Sequence, residues 1–123
     1  MTHEETVRVW FDAWLTRESA VIPEIFAQDV RYVECYGPEY IGRGEVEQWF
    51  ADWNARGRVL EWRIRRAIGQ GEWLAVHWFF RCIYDGTEGA FDGMTLMRFD
   101  CAGRIAELRE FGSKAEHERP YGG

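Results

Sequence analysis

The chain has 123 residues, 46% hydrophobic and 16% aromatic, with a formal net charge of -6 at pH 7. This is one domain's worth of chain, residues 1-123, with enough apolar surface for a sizeable core. The acidic balance argues against a phosphate-binding surface, so no nucleic-acid partner is expected and Arg63, Arg65 and Arg66 read as a solvated strand face.

Thr2 and Glu5 form a capping box that starts a helix over about Glu4 to Thr16. Along it Val7, Trp10, Phe11 and Trp14 fall at i, i+3, i+4 and i+7, one helix face. Ser19 would cap a short second helix that tolerates Pro23 in its first turn and ends near Ala27. Val30 to Tyr36 alternates and predicts a strand, broken by Gly37 and Pro38. Gly42-Arg43-Gly44 leads into a third helix, where Val46, Trp49, Phe50 and Trp53 repeat the spacing of the first. Gly57 would end it as a C′ glycine does.

The remainder reads as β. Arg58 to Ile68 is a strand with Leu60, Trp62, Ile64 and Ile68 on one face and Glu61, Arg63 and Arg65 on the other. After the turn Gly69-Gln70-Gly71, the stretch Trp73 to Tyr84 is nearly all apolar and reads as a central strand buried on both faces. Asp85-Gly86 turns the chain into a strand over Ala90 to Asp100, and Cys101-Ala102-Gly103 leads to a last strand, Arg104 to Gly112. Strands joined by short turns form an antiparallel meander, and helices before strands make the chain α+β with helices on one sheet face. Aromatic residues this large on two helices suit a wall over a wide, curved sheet with room for a ligand. The same rings could instead fill that room.

The longest apolar stretch, Leu74 to Phe80, is interrupted by His77 and is too short to cross a bilayer. No apolar run follows a basic start, so neither a membrane span nor a secretory leader is expected. Cys35, Cys82 and Cys101 are odd in number and lack a C-x-x-C, which points to a reducing cytoplasm. Closely spaced histidines, a glycine-rich phosphate loop and a serine nucleophile elbow are all missing from the sequence. No metal and no cofactor are expected, and acid/base chemistry is what remains if this is an enzyme.

Three motifs carry a family resemblance: Phe26-Ala27-Gln28-Asp29-Val30, Gly42-Arg43-Gly44-Glu45, and Leu96-Met97-Arg98-Phe99-Asp100 with Gly103-Arg104-Ile105. Together they resemble the nuclear transport factor 2-like superfamily, closest to its SnoaL-like branch, and the last also looks like ketosteroid isomerase. Glu34-Cys35-Tyr36-Gly37-Pro38 and the tail Ser113, His117, Pro120, Tyr121 resemble a subgroup of small bacterial members. The resemblance implies a cone-shaped α+β fold, with three N-terminal helices packed on a curved, mainly antiparallel β-sheet. It does not choose a reaction, because the superfamily hosts isomerases, cyclases, dehydratases, hydrolases and proteins without catalysis. It also implies a homodimer through the outer sheet face, where a half-apolar surface would place His77.

Glu34 is the sharpest candidate. It shares strand parity with Val30, Tyr32 and Tyr36, and the resemblance puts it where ketosteroid isomerase has its general base. The opposite parity would turn Val33 and Cys35 inward and Glu34 out. An inward carboxylate would have its pKa raised by desolvation, as a base working near neutral pH requires. The resemblance places Trp10 and Thr95 at the isomerase's two oxyanion-stabilising positions, so its oxyanion hole is not reproduced residue for residue. The same resemblance would point Glu110 into the cone beside Leu108, where it would share acid and base roles with Glu34, or else it would pair with Arg63, Arg81 or Arg109. Asp92 would act in the cone or order a bulge next to Gly93.

Trp14, Trp53, Trp62 and Trp78 would bury the apolar skeleton of a hydrophobic small molecule, with Tyr36 or Trp10 orienting it. His117 would cover the mouth of the cone or sit in a solvated tail. Three functions stay open on these residues: an isomerase, cyclase, dehydratase or hydrolase with Glu34 as base; a non-catalytic binding module; and a structural dimeric protein whose cone is filled by its own aromatic residues.

Overall fold

The computed structural model describes residues 1–122. The first helix, α1, covers His3–Thr16, and its capping box forms as the sequence predicts, with Glu5 N–H donating to Thr2 Oγ1 at 3.1 Å. A 3₁₀ turn, Ser19–Val21, and a single helical turn, α2 (Ile22–Ile25), follow. Here the cap differs from expectation: Glu18 accepts from the Ala20 N–H, so the acidic residue one position earlier takes the role assigned to Ser19.

Strand β1 runs Phe26–Val33, four residues earlier than the alternation suggests. Phe26 and Ala27 are already in the core, and a register irregularity between Phe26 and Arg31 hides the strand's start from a period-two reading. After a turn comes β2, Glu39–Ile41, which the sequence did not predict. Three residues between Pro38 and Gly42 are too few to show a period. Helix α3 covers Arg43–Arg56. Gly57 closes it in extended backbone, φ -138°, and not as a left-handed C′ residue. Glycine is required there for space: a Cβ would lie 2.6 Å from the Tyr84 ring and 3.0 Å from Trp53.

Four long strands complete the chain: β3 (Gly57–Gln70), β4 (Trp73–Tyr84), β5 (Thr87–Phe99) and β6 (Ile105–Lys114). Together the six form one sheet in the order β2-β1-β6-β5-β4-β3. Every neighbouring pair is antiparallel except β1 with β6, which is parallel. The β4–β5 turn is tight, with Asp85 and Gly86 both at positive φ (50° and 81°), the backbone of a two-residue hairpin.

Two bulges interrupt β3, between Val59 and Glu61 and between Ile64 and Arg66. Each shifts the side-chain alternation by one residue and bends the strand. The expected inward set is corrected accordingly: Val59 and Trp62 are buried, while Ile68 is exposed. The curved sheet closes around α1 and α3, whose Val7, Trp10, Phe11, Val46 and Phe50 pack against Val76, Met97, Phe99 and Leu108. β4 also departs from the reading as a strand buried on both faces. Leu74, Val76 and Trp78 are buried on the concave side, whereas Trp73, His77 and Ile83 are exposed on the convex one.

Candidate active site in the mouth of the cone

The end of β1 sets the site. Val30, Tyr32 and Glu34 are all buried, so the alternation carries Glu34 inward just past the strand. A turn fixes its backbone: Glu34 N–H donates to the Pro38 carbonyl at 2.9 Å, and Gly37 N–H donates back to the Glu34 carbonyl at 3.1 Å. Gly37 has φ +119°, a conformation that favours glycine. This turn presents two phenols to one carboxylate. Tyr36 Oη donates to Glu34 Oε1 and Tyr40 Oη to Glu34 Oε2, each at 3.0 Å. Burial raises the Glu34 pKa, and the two tyrosine hydrogen bonds work against that rise by favouring the anion.

Glu110 comes from β6, the strand paired in parallel with β1. The pairing Tyr32 with Leu108 and Val33 with Arg109 brings Glu110 alongside Glu34 at the next position. Its Oε2 accepts a hydrogen bond from Tyr32 Oη at 2.9 Å, and Tyr32 Oη in turn accepts one from Trp10 Nε1 at 3.2 Å. Burial pushes the Glu110 pKa up to about 8, against the Tyr32 hydrogen bond, and the Glu34 charge adds to the rise. All three tyrosines are also pushed above the ordinary phenol value, burial first and neighbouring carboxylates second, so they stay neutral donors.

Both carboxyl groups line one cavity of about 510 Å³. Its walls include Trp14 from α1, Trp53 from α3, Trp62 from β3 and Trp78 from β4. The helical tryptophans brace one another, with the Trp14 and Trp53 rings edge to face at 5.3 Å. Trp78 lies over Gly93, where a Cβ would fall 2.2 Å from its ring, and its Nε1 donates to Thr95 Oγ1 at 2.8 Å. A cone filled solid by its own aromatic residues does not fit a cavity of this volume.

Residues 7–108 match the family described as SnoaL-like domain. The chain belongs to the SnoaL-like family. No protein with a curated description matches the sequence. Among solved structures, the chain is similar to a hypothetical protein with a ketosteroid isomerase-like fold from Catenulispora acidiphila DSM 44928, in complex with trimethylamine. The two share 23% identity over 90% of this chain and 86% of that one, with a TM-score of 0.78. It is also similar to an LEH-like epoxide hydrolase from M. tuberculosis, with 16% identity over 89% and 80% of the two chains and a TM-score of 0.79. An NTF-2 like protein of unknown function from Burkholderia xenovorans LB400 matches at 15% identity over 97% and 88%, with a TM-score of 0.75. At these identities the likeness establishes the cone fold.

Within this SnoaL-like cone, the cavity gathers Glu34, Glu110, Trp14, Tyr36, Trp53, Trp62 and Trp78 of the residues singled out from sequence. Tyr36 is 68% exposed and stands at the rim. Four others lie elsewhere. Trp10 is fully buried behind Tyr32, and Thr95 is spent on Trp78. Asp92 faces the convex side, within 3.2 Å of Arg65 and 3.7 Å of His77. It orders no bulge: β5 runs through Asp92 and Gly93 in unbroken register with both neighbours. His117 is in the exposed tail, away from the cavity. The alternative pairing of Glu110 with an arginine is not seen: Arg63 and Arg81 lie against Glu61, and Arg109 lies over Phe111.

Sequence reasoning missed Tyr40 and, on the cavity face of α3, the neighbours of the expected Trp53. That face carries Trp49, Asp52, Trp53 and Arg56, again at i, i+3, i+4 and i+7. The Val46-Trp49-Phe50-Trp53 stripe therefore divides: Val46 and Phe50 enter the core, while the half-buried tryptophans turn toward the cavity. Polar residues recurring at the positions next to the tryptophans were the available signal. Among the described residues, no three His, Cys, Asp or Glu side chains gather as metal ligands, and no helix is long and apolar enough to cross a membrane.

Proposed function

We propose that this SnoaL-like protein binds a hydrophobic small molecule in the cone and acts on it by acid/base chemistry, with Glu34 as base and Glu110 as acid. One observation carries the reading: two carboxyl groups share an aromatic cavity but have different support. Glu34 holds two phenol donors, which favour its charged form. Glu110 holds one and titrates at about 8, so it is protonated at neutral pH and can give up a proton. Neighbouring carboxyl groups whose environments separate their protonation states divide acid and base roles. The tryptophan walls would hold the apolar skeleton against them. The Catenulispora relative, in complex with trimethylamine, supports small-molecule binding on this fold, and the LEH-like epoxide hydrolase supports catalysis on it.

The isomerisation, cyclisation, dehydration and hydrolysis open to the family share a proton transfer. A test therefore needs no knowledge of the natural substrate. Small apolar ketones are incubated with the protein in D2O, and exchange of their α-protons is followed by NMR. Exchange that Glu34→Gln slows by about 10²–10⁴-fold is expected of a general base. Saturable binding without Glu34-dependent exchange would leave a non-catalytic binding module. No binding by any member of the panel would remove the small-molecule reading.

The protein is further proposed to act as a homodimer in the cytoplasm. Met94, Leu96 and Phe111 are 44%, 39% and 45% exposed on the convex sheet face, an apolar area that a second copy would cover. Sedimentation showing a monomer at micromolar concentration would count against the dimer. The three cysteines are free, as a reducing compartment would keep them.

A further inference from the structure

The cavity is unusual in what it lacks. Ten of its seventeen lining residues are aromatic, and none is Leu, Ile, Val or Met. Aliphatic side chains would supply the same apolar area to a neutral ligand. Aromatic rings add a negative face, which attracts a positive charge.

The ionisable lining has the same sign. Glu34, Asp52 and Glu110 are acidic, and Arg56 is the one basic residue among the described lining residues. Arg56 is already engaged. Its guanidinium donates to the Asp85 carboxylate, through Nε at 3.1 Å and also through Nη2, and lies 5.2 Å from the centroid of the Tyr84 ring. Asp85 lies outside the cavity lining, so the arginine's charge is balanced from outside, while Glu34 and Glu110 sit within the cavity and Asp52 lies at its exposed edge. The arrangement at Tyr84 also shows a rim ring already holding a cation over its face.

We propose that the ligand of this cone is an organic cation, an amine or quaternary ammonium on an apolar body, with its charged nitrogen toward the Glu34 and Glu110 end of the cavity. The inference rests on the reading of the cone as a small-molecule site and narrows it to one ligand class. Two features act together. Ring faces such as that of Trp53 attract the cation without hydrogen bonds, which suits a nitrogen with no N–H to give. The Glu34 carboxylate supplies the counter-charge, with Glu110 beside it as the neutral partner at neutral pH, and a bound cation favours the ionised form of Glu34. An anionic ligand would meet three carboxyl groups and find no free basic residue to pair with among the described lining residues.

The test uses two ligands of one shape. Phenyltrimethylammonium and tert-butylbenzene differ by a nitrogen for a carbon and by one charge. Both are titrated into the wild-type protein while the indole N–H signals of Trp49 and Trp53 are followed by NMR. Binding of the cation about tenfold more tightly than the hydrocarbon is expected for a desolvated aromatic site. Equal affinities, or a preference for the hydrocarbon, would overturn the cation proposal and leave the small-molecule reading standing. Failure of both to bind at millimolar concentration would overturn the proposal and count against that reading too. The Glu34→Gln and Glu110→Gln double variant, and separately Trp53→Leu, should each reduce the preference several-fold without weakening hydrocarbon binding to the same degree. An unchanged preference in both would overturn the placement of the charge.

Discussion

The hydroxyl of Tyr32 reaches the carboxyl of Glu110 at 2.9 Å, joining the end of β1 to the middle of β6. The bond ties the protonation of a cavity acid to the stability of the fold. Glu110 titrates at about 8 in the folded protein, against an ordinary value of 4.5. Between those values the folded state keeps a proton that the unfolded chain has lost, so stability falls as pH rises. The contribution is fully present below pH 4.5, is lost progressively toward pH 8, and changes no further above it. Glu34, also raised, acts in the same direction. Thermal melting should therefore show a Tm that drops by several degrees from pH 5 to pH 8. Glu110→Gln, which cannot ionise, should flatten that slope; a slope identical to wild type would show that Glu110 does not titrate in this range.

Tyr32 also anchors the indole of Trp10, so its hydroxyl serves two buried partners. Tyr32→Phe keeps the ring but leaves the Trp10 N–H and the Glu110 carboxyl without their partner. An orphaned buried polar group costs roughly 1–3 kcal/mol, and urea denaturation should show a loss of about that size. The Tyr32 hydrogen bond lowers the Glu110 pKa, so the same variant should move the Glu110 titration upward. A downward shift would contradict the donor role given to Tyr32.

The sequence made some of this site legible and obscured the rest for definite physical reasons. Helix periodicity located Trp14 and Trp53, and strand parity turned Glu34 inward, because both periods survive to the ends of their elements. Parity failed where a bulge reset it: Leu60 and Ile68 on β3 were read on the same face as Trp62, across two bulges that no local residue announces. Trp10 was assigned to the site by its match to an oxyanion-stabilising position of ketosteroid isomerase, but the partner that removes it, Tyr32, is 22 residues away. Tyr40 escaped notice because β2 is only three residues long. Its relation to Glu34 depends on a turn closing over Gly37 and Pro38. Asp92 looked structural beside a glycine, and the glycine does have a structural reason, which is the ring of Trp78 on the opposite face.

That packing gives a sharp steric prediction. A Cβ on Gly93 would lie 2.2, 2.6 and 2.6 Å from three ring carbons of Trp78. The ring is rigid and its Nε1 is held by Thr95, so a shift toward the cavity strains that bond. Gly93→Ala should destabilise the protein by about 1–3 kcal/mol, the usual range for overpacking a filled core. It should also displace the Trp78 indole N–H resonance as the bond to Thr95 is strained. Wild-type stability with an unshifted indole signal would mean that β5 moves aside without cost.

The two phenols on Glu34 are the last element open to direct measurement. Each donates to a different carboxylate oxygen, and each lowers a pKa that burial has raised. Removing either donor should raise it again. Carboxyl-carbon NMR titration should place wild-type Glu34 above the ordinary carboxylate value, Tyr36→Phe and Tyr40→Phe higher, and the double variant highest. The folding cost should be smaller than for Tyr32→Phe, because Tyr36 is exposed at the rim and Tyr40 only half-buried, so water can replace the lost donors. If Glu34 works as a base near neutral pH, the pH at which proton exchange reaches half its maximum should move upward in the same order as the titrations. An exchange profile that stays fixed while the Glu34 titration moves would assign the base to a different group.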